Sequence, residues 1–369
     1  MTKLAGKMRN FAYTKMASLL LLFGFFYMVA AASHAGFMEK WALRDGDAIS
    51  FIGMVDGTTD KPFVYRQLLP TLAKTLQPIL AESNSIFFVK LRKYFEHNID
   101  PNASFSKAVS ANVYGYEYTY RVICLANFLA LLSSLFILRQ LALSYGYAQI
   151  ESTLAPSVFI LAFPYIQTVG GYFYDSVELA FFCCAILFSA NGRLIPLATM
   201  AALATLNKET FIFIIPTLYP FLREKLSQTK TIINLILLVI ICGSVNTYLK
   251  FIFQENGGGF VEFHLWENLK TYIMPSSYFR YETTYGLPSP SQASIVTLAL
   301  IFIITARGWQ NIAPVWKQHL MIAIIINTPL FLAFCASGEL RNLSMTFAGF
   351  TILIAAAIKT TIKTAPAIK

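Results

Sequence analysis

RLIPLATMAALATLNKETFIFIIPTLYPFL, residues 193–222, is a pair of apolar runs of about 14 residues each, separated by the polar tetrad Asn207, Lys208, Glu209 and Thr210. An α-helix rises 1.5 Å per residue, so each run reaches about 21 Å, short of the roughly 30 Å of hydrocarbon in a bilayer. A solvated hairpin between two spans does not need arms this short. The turn is therefore expected below the headgroup level, inside the protein. The plain alternative is that Lys208 and Glu209 pair with each other or with a neighbour. Ionisable groups at such a depth cost a few kcal/mol each on insertion scales, which makes them candidates for function.

Working outward, the whole chain has the composition such a turn requires. Hydrophobic residues are 56% of 369, charged residues 13%, and the mean hydropathy is +0.56. Soluble domains carry about 25% charged residues. The expected fold is an all-α membrane protein, one polytopic domain over 1–369 with about ten transmembrane helices. The candidate spans are 16–33, 121–139, 153–170, 176–190, 193–206, 209–222, 231–250, 293–306, 319–336 and 343–359. The net charge of +10 is explained by Lys and Arg in cytoplasmic loops and does not call for nucleic acid. The five cysteines lie in or beside apolar segments, and His34, His97, His264 and His319 are scattered, so no metal-ligand pattern is expected.

Lys3, Lys7, Arg9 and Lys15 precede the first span and place the N-terminus in the cytoplasm. Alternation then puts Arg139, Arg193, the Arg223/Lys225/Lys230 cluster, Arg307 with Lys317, and the Lys-rich tail on the same side. The first segment also reads as a signal peptide, with AAASHA at 30–35 as the small-residue stretch; cleavage would leave the later orientation unchanged. Two long extracytoplasmic segments follow, 34–120 and 251–292. The work of the protein is expected on that face.

The first of these segments opens with WALRDGDAISFIGMVDGTTDKPFVYRQLLP, residues 41–70, dense in Asp45, Asp47, Asp56, Asp60, Arg44, Lys61 and Arg66. If 47–55 is helical, Asp47 caps it, and Phe51 lies one turn on. Capping and loop solubility are the plain reading of these acids; a carboxylate at the mouth of the bundle acting as a general base is the functional one. Residues 66–80 place Leu68, Leu69, Leu72, Leu76, Ile79 and Leu80 mostly on one face, an amphipathic helix on the membrane surface. Residues 85–100, SIFFVKLRKYFEHNID, repeat that mixture. In 251–292 the Gly257–Gly259 run reads as a flexible loop, and the aromatics as a lid, an acceptor platform or interfacial anchors.

Two more charged turns fall on the outer side. GGYFYDSVE at 170–178 carries Tyr174 and Asp175, with Glu178 a turn deeper; FCASGELRNLSMTF at 334–347 carries Glu339, Arg341 and Asn342. Each alone reads as a solvated turn. Their shared side is what suggests one cavity, with Arg66, Lys208 and Arg341 suited to a phosphate.

Together the early outer-loop Asp, YRQLLP, the YDS turn, NKET between short spans and the late E-x-R-N turn resemble the GT-C superfamily, integral membrane glycosyltransferases that use polyprenyl-phosphate-linked sugars. The likeness covers the whole chain as architecture and rests on short motifs as sequence. It implies a general base at Asp47 or Asp45 and donor-phosphate contacts from Lys208, Arg341 and Arg66. It leaves Asp175, Glu209, Glu339, Tyr174 and Asn342 to orient the acceptor or the cations. It implies inverting transfer of a hexose or pentose to a glycan, lipid or protein acceptor at the extracytoplasmic face. The positive-inside pattern places both termini in the cytoplasm, and the compact chain with few structural cysteines outside its spans points to a bacterial plasma membrane. No cofactor is implied for certain, and a divalent cation stays open. Many members carry a large soluble C-terminal domain; this chain ends soon after its last span, so acceptor recognition is expected from the two outer loops or a partner. A polymerase or ligase of lipid-linked oligosaccharides and a transporter or flippase of a lipid-linked or anionic solute are the competing readings.

Overall fold

The computed structural model describes residues 2–41, 51–82, 116–167, 170–259, 261–284, 287–291 and 293–364. The chain is an all-α membrane protein with a single two-stranded hairpin among the described residues. Among the described residues, five helices are long and apolar enough to cross a membrane. They lie within α1 (Thr2–Trp41), α4 (Glu117–Ser144), α9 (Gln228–Ile252), α12 (Pro314–Phe334) and the stretch Leu340–Ile362 that ends in α13 (Phe347–Thr364). Their outward faces carry bare apolar side chains: Leu19, Leu20 and Leu21 on α1, and Ile232, Ile236 and Ile240 on α9. In water such surfaces would be costly; in lipid they are the matching solvent.

Between these run α5 (Gln149–Ile166), α6 (Asp175–Ala190), α7 (Leu194–Asn207), α8 (Tyr219–Arg223) and α11 (Ile295–Gly308). Each expected apolar segment is helical over most of its described length, and five helices among the described residues meet the length and hydropathy of a span. The second arm of the opening stretch departs most from expectation. Residues Glu209–Leu218 form a 3-10 helix of 10 residues before α8 adds 5 in α form. At about 2.0 Å per residue for 3-10 and 1.5 Å for α, this arm extends roughly 27 Å, against about 22 Å for the same residues as a plain α-helix. The tighter winding therefore recovers most of the missing length. Pro216 and Pro220, which lack backbone donors, interrupt the regular ladder in this arm.

Small residues set the closest approaches. A Cβ on Gly308 would meet Leu353 O at 2.6 Å, so α11 lies directly against the backbone of α13. At the end of the bundle away from the charged turns, Trp316, Phe221, His319 and Tyr145 pack mostly edge to face as one aromatic group. That end also carries the Arg139–Thr153 bond between α4 and α5.

The other end is closed by the segments outside the spans. Here lie α2 (Phe51–Asp56), a 3-10 turn Phe63–Tyr65, α3 (Leu68–Glu82), α10 (Leu265–Ile273) and the hairpin of β1 (Tyr281–Thr284) with β2 (Leu287–Pro290). The surface helix begins at Leu68, two residues later than the expected range, and buries Leu69 and Ala73 while Leu72 and Lys74 stay exposed. The 85–100 segment lies outside the described residues.

The Gly257–Gly259 run corrects the expectation of a flexible loop: its first two glycines are packed against the first outer segment. Lys61 N donates to Gly257 O at 2.9 Å, and Asn256 Nδ2 donates to Gly57 O at 2.7 Å and Thr59 O at 3.1 Å. A Cβ on Gly258 would stand 2.6 Å from Lys61 O.

Candidate functional site

Four chain segments far apart in sequence meet at the charged end. The turn after α5 brings Gln167, Tyr172 and Tyr174, and α6 opens with Asp175 and Glu178 in its first turn, where acidic side chains suit a helix N-terminus. The turn between α7 and the 3-10 helix brings Asn207, Lys208 and Glu209, with Lys208 extended at φ −159°. The 3-10 run after α12 brings Glu339, Arg341, Asn342 and Ser344. Arg66 comes from the first outer segment, just before α3.

Their side chains form one network. Lys208 Nζ donates to Glu178 Oε2 at 2.8 Å and to Asn342 Oδ1 at 3.4 Å, and lies 4.0 Å from Asp175 Oδ1. Asp175 Oδ1 accepts from Arg341 Nη1 at 3.1 Å, and its other oxygen accepts from Tyr172 N at 2.9 Å and Gln167 Nε2 at 3.3 Å. Arg341 Nη2 donates to Glu339 Oε1 at 3.3 Å, and Asn342 Nδ2 to Glu339 Oε2 at 2.9 Å. Ser344 Oγ donates to Glu178 Oε1 at 3.3 Å.

Arg66 completes the ring, facing Glu209 with Nη2 at 3.2 Å and Nε at 3.4 Å and donating to the Tyr174 hydroxyl. Both guanidinium groups also lie over aromatic faces, Arg66 at 4.5 Å over Tyr174 and Arg341 at 4.6 Å over Tyr172, and those two rings are stacked 5.1 Å apart.

Of the expected site residues, Arg66, Tyr174, Asp175, Lys208, Glu209, Glu339, Arg341 and Asn342 all belong to this network. Asp45 and Asp47 lie outside the described residues. The chain on either side of them is anchored beside the network. Trp41 Nε1 donates to Gln167 O at 2.7 Å, and its indole packs so closely on Gly171 that a Cβ there would be 2.6 Å away. Phe51 is wholly buried, edge-on to Phe173 with ring centroids 6.2 Å apart.

Lys208 and Glu209, neighbours in sequence, do not pair with each other. Lys208 reaches Glu178 and Glu209 reaches Arg66, because the extended backbone at Lys208 sends consecutive side chains to opposite sides. The sequence places Glu178 in the YDS turn without a role of its own, and it does not mark Gln167, Tyr172 or Ser344. Two of them had a legible signal: Glu178 follows Asp175 by three and Ser344 follows Arg341 by three, spacing that puts both on one helical face.

Three cations face four carboxylates, and the burial is graded. The Lys208 and Glu178 side chains are each 5% exposed, and Asp175 3%, whereas Glu209 and Glu339 are 19% and 16% exposed. The deep pair fixes the cluster, and the two shallower carboxylates form its rim. Gly170, at φ +72°, backs the rim: a Cβ there would stand 2.8 Å from Glu339 Oε1. The Arg341 Nε is buried without a hydrogen-bond partner among the described residues. Near the rim, burial and then the Glu209 carboxylate raise the Tyr65 phenol above its ordinary pKa.

An apolar groove of about 570 Å³ runs along α3, α4 and α6, lined by Leu68, Leu69, Leu72, Leu129, Phe136 and Val177; Leu68 follows Arg66 by two residues and Val177 follows Asp175 by two. Chemically, the arrangement gathers two aromatic-backed guanidinium groups and an ammonium at one end of the bundle, and an apolar groove runs along α3 and α6, the helices that follow Arg66 and begin at Asp175. Comparison with protein-family models, curated proteins and solved structures found no match to this chain.

Proposed function

We propose that the protein is a membrane glycosyltransferase of GT-C type, moving a sugar from a polyprenyl-phosphate donor to an acceptor hydroxyl with inversion. In this proposal the five shorter helical segments complete a bundle of ten spans, both termini are cytoplasmic, and the charged end faces the outside of a bacterial plasma membrane.

The observation that carries the proposal is the convergence of Arg66, Lys208 and Arg341 at one end of the bundle, with an apolar groove along the helices that follow Arg66 and Asp175. A lipid phosphate is the ligand with both halves of that chemistry. All three cations are already met by carboxylates, so a phosphate enters by exchange. The rim acids Glu209 and Glu339 are the ones it would displace, leaving Asp175 and Glu178 to hold Arg341 and Lys208 in place. A guanidinium fork then receives phosphate oxygens bidentately as charge builds on the leaving group.

Asp47, or Asp45 in its place, takes the proton of the acceptor hydroxyl. The acceptor oxygen forms its bond to the anomeric carbon as the bond to the lipid phosphate breaks. The short tether from Trp41 and the buried Phe51 support this role, since both flank the acidic stretch at the network. Sugar transfer by purified, reconstituted protein tests it. Asp47→Asn or Asp45→Asn should abolish transfer while the protein stays folded and inserted; transfer that persists in both variants removes the general base from this stretch.

A further inference from the structure

The segment from Val261 to Tyr281 has an arrangement that water would not favour. The inward face of α10 carries Asn268, which is wholly buried and donates to Leu332 O at 2.9 Å and Cys335 O at 2.8 Å. Its outward face carries Trp266 and Ile273, which are 74% and 78% exposed. Phe263, Met274 and Phe279 extend the bare apolar surface on both sides. Leu265, Leu269 and Tyr272 are half-buried on the inner side with Asn268, and Glu267 and Lys270 share the outer side, so α10 carries apolar surface on both faces, whereas a surface helix in water keeps one apolar stripe, turned to the core.

Its level relative to the bilayer follows from what it is tied to. His264 N donates to Ala333 O at 2.8 Å, and Ser337 Oγ to Asn268 Oδ1 at 2.8 Å, which fixes α10 against the very end of the spanning helix α12. The exposed apolar surface of α12, ending in Phe334, passes to Phe263 through a ring contact of 6.0 Å. The lipid-facing surface is thus continuous from the span onto the helix. Lys270 lies between Trp266 and Ile273 on the exposed face, where a long cationic side chain can reach a headgroup while its stem covers apolar surface.

We propose that α10 is an in-plane helix of the leaflet at the charged end, with Trp266 and Ile273 inserted among the lipids at headgroup depth. This rests on the membrane reading of the fold and is independent of the glycosyltransferase proposal. It has a consequence for the site. The backbone of Gly338, next to Glu339, donates to Tyr272 Oη at 3.1 Å, so the rim carboxylate hangs from a helix held by lipid.

Tryptophan quenching in full-length protein reconstituted into phosphatidylcholine vesicles tests the proposal, with Trp266→Phe as the subtraction. The emission lost in Trp266→Phe should be strongly quenched by lipids brominated near the glycerol ester. It should be weakly quenched by lipids brominated near the chain ends and by aqueous iodide. Ile273→Trp in the Trp266→Phe background should add a component with the same profile. Dominant iodide quenching would overturn the proposal and leave the face for a soluble partner or acceptor. Quenching by neither lipid nor iodide would overturn it in favour of a second copy of the chain on this face. Dominant chain-end quenching would overturn the headgroup depth.

Discussion

Removing the Lys208 ammonium is the sharpest perturbation of the network. At an effective dielectric constant of about 20, its 2.8 Å separation from Glu178 corresponds to a gross attraction of roughly 6 kcal/mol. Desolvation costs several kcal/mol for each ion, so the intact pair contributes little net stability. Loss of one partner is another matter. In Lys208→Met, Glu178 keeps only the Ser344 hydroxyl at 3.3 Å, and Asp175 keeps Arg341. The expected loss is about 3–5 kcal/mol. Adding Glu178→Gln removes the stranded charge, so the double variant should fall short of the summed single effects by about 2–3 kcal/mol. Equilibrium unfolding of the purified protein in mixed micelles, titrated with dodecyl sulfate and followed by tryptophan emission, measures all four corners of the cycle. Additivity within about 0.5 kcal/mol, or a neutral Lys208→Met, would refute a buried Lys208–Glu178 pair.

Other positions test the frame around that pair. Gly170→Ala combines φ +72° with a Cβ 2.8 Å from Glu339 Oε1, and should cost about 1–3 kcal/mol in the same titration; a neutral result would mean the Glu339 carboxylate is not seated there. Gly258→Ala meets Lys61 O at 2.6 Å with φ +83°, so it should open the contact between the two outer segments and raise hydrogen exchange over 57–66. Gly243→Ala, in the middle of α9 with nothing within 4 Å, should be neutral or stabilising by up to about 1 kcal/mol; equal behaviour of the two glycines would contradict the packed loop.

The apolar segments were legible because the bilayer imposes length and hydropathy on any chain that crosses it, and each became a helix. The winding of the NKET arm was not, because 3-10 and α forms bury the same residues and differ only in rise. The gathering of the charged turns was legible as a shared end of the bundle: alternation of the apolar segments puts the YDS, NKET and E-x-R-N turns together. The partners within it were hidden. Nothing local says that Lys208 chooses Glu178 over Glu209, since that depends on the extended backbone at Lys208 and on the placement of α6 against α7. Arg66 was suggested only by its position before a surface helix, and its bond to Glu209 spans 143 residues. The role of Asn268 could not be read at all, because a polar residue on an amphipathic helix is ordinarily assigned to the solvent side.

The central claim is that Arg66, Lys208 and Arg341 hold the phosphate of a polyprenyl lipid. Mass spectrometry of lipid retained by the protein through purification tests it most directly, comparing wild type with the charge-neutral Arg66→Gln/Glu209→Gln variant. Polyprenyl phosphate or its glycosylated form should accompany the wild type and be lost from the variant. Ordinary phospholipids alone in the wild type, or polyprenyl phosphate retained equally by both, would contradict it.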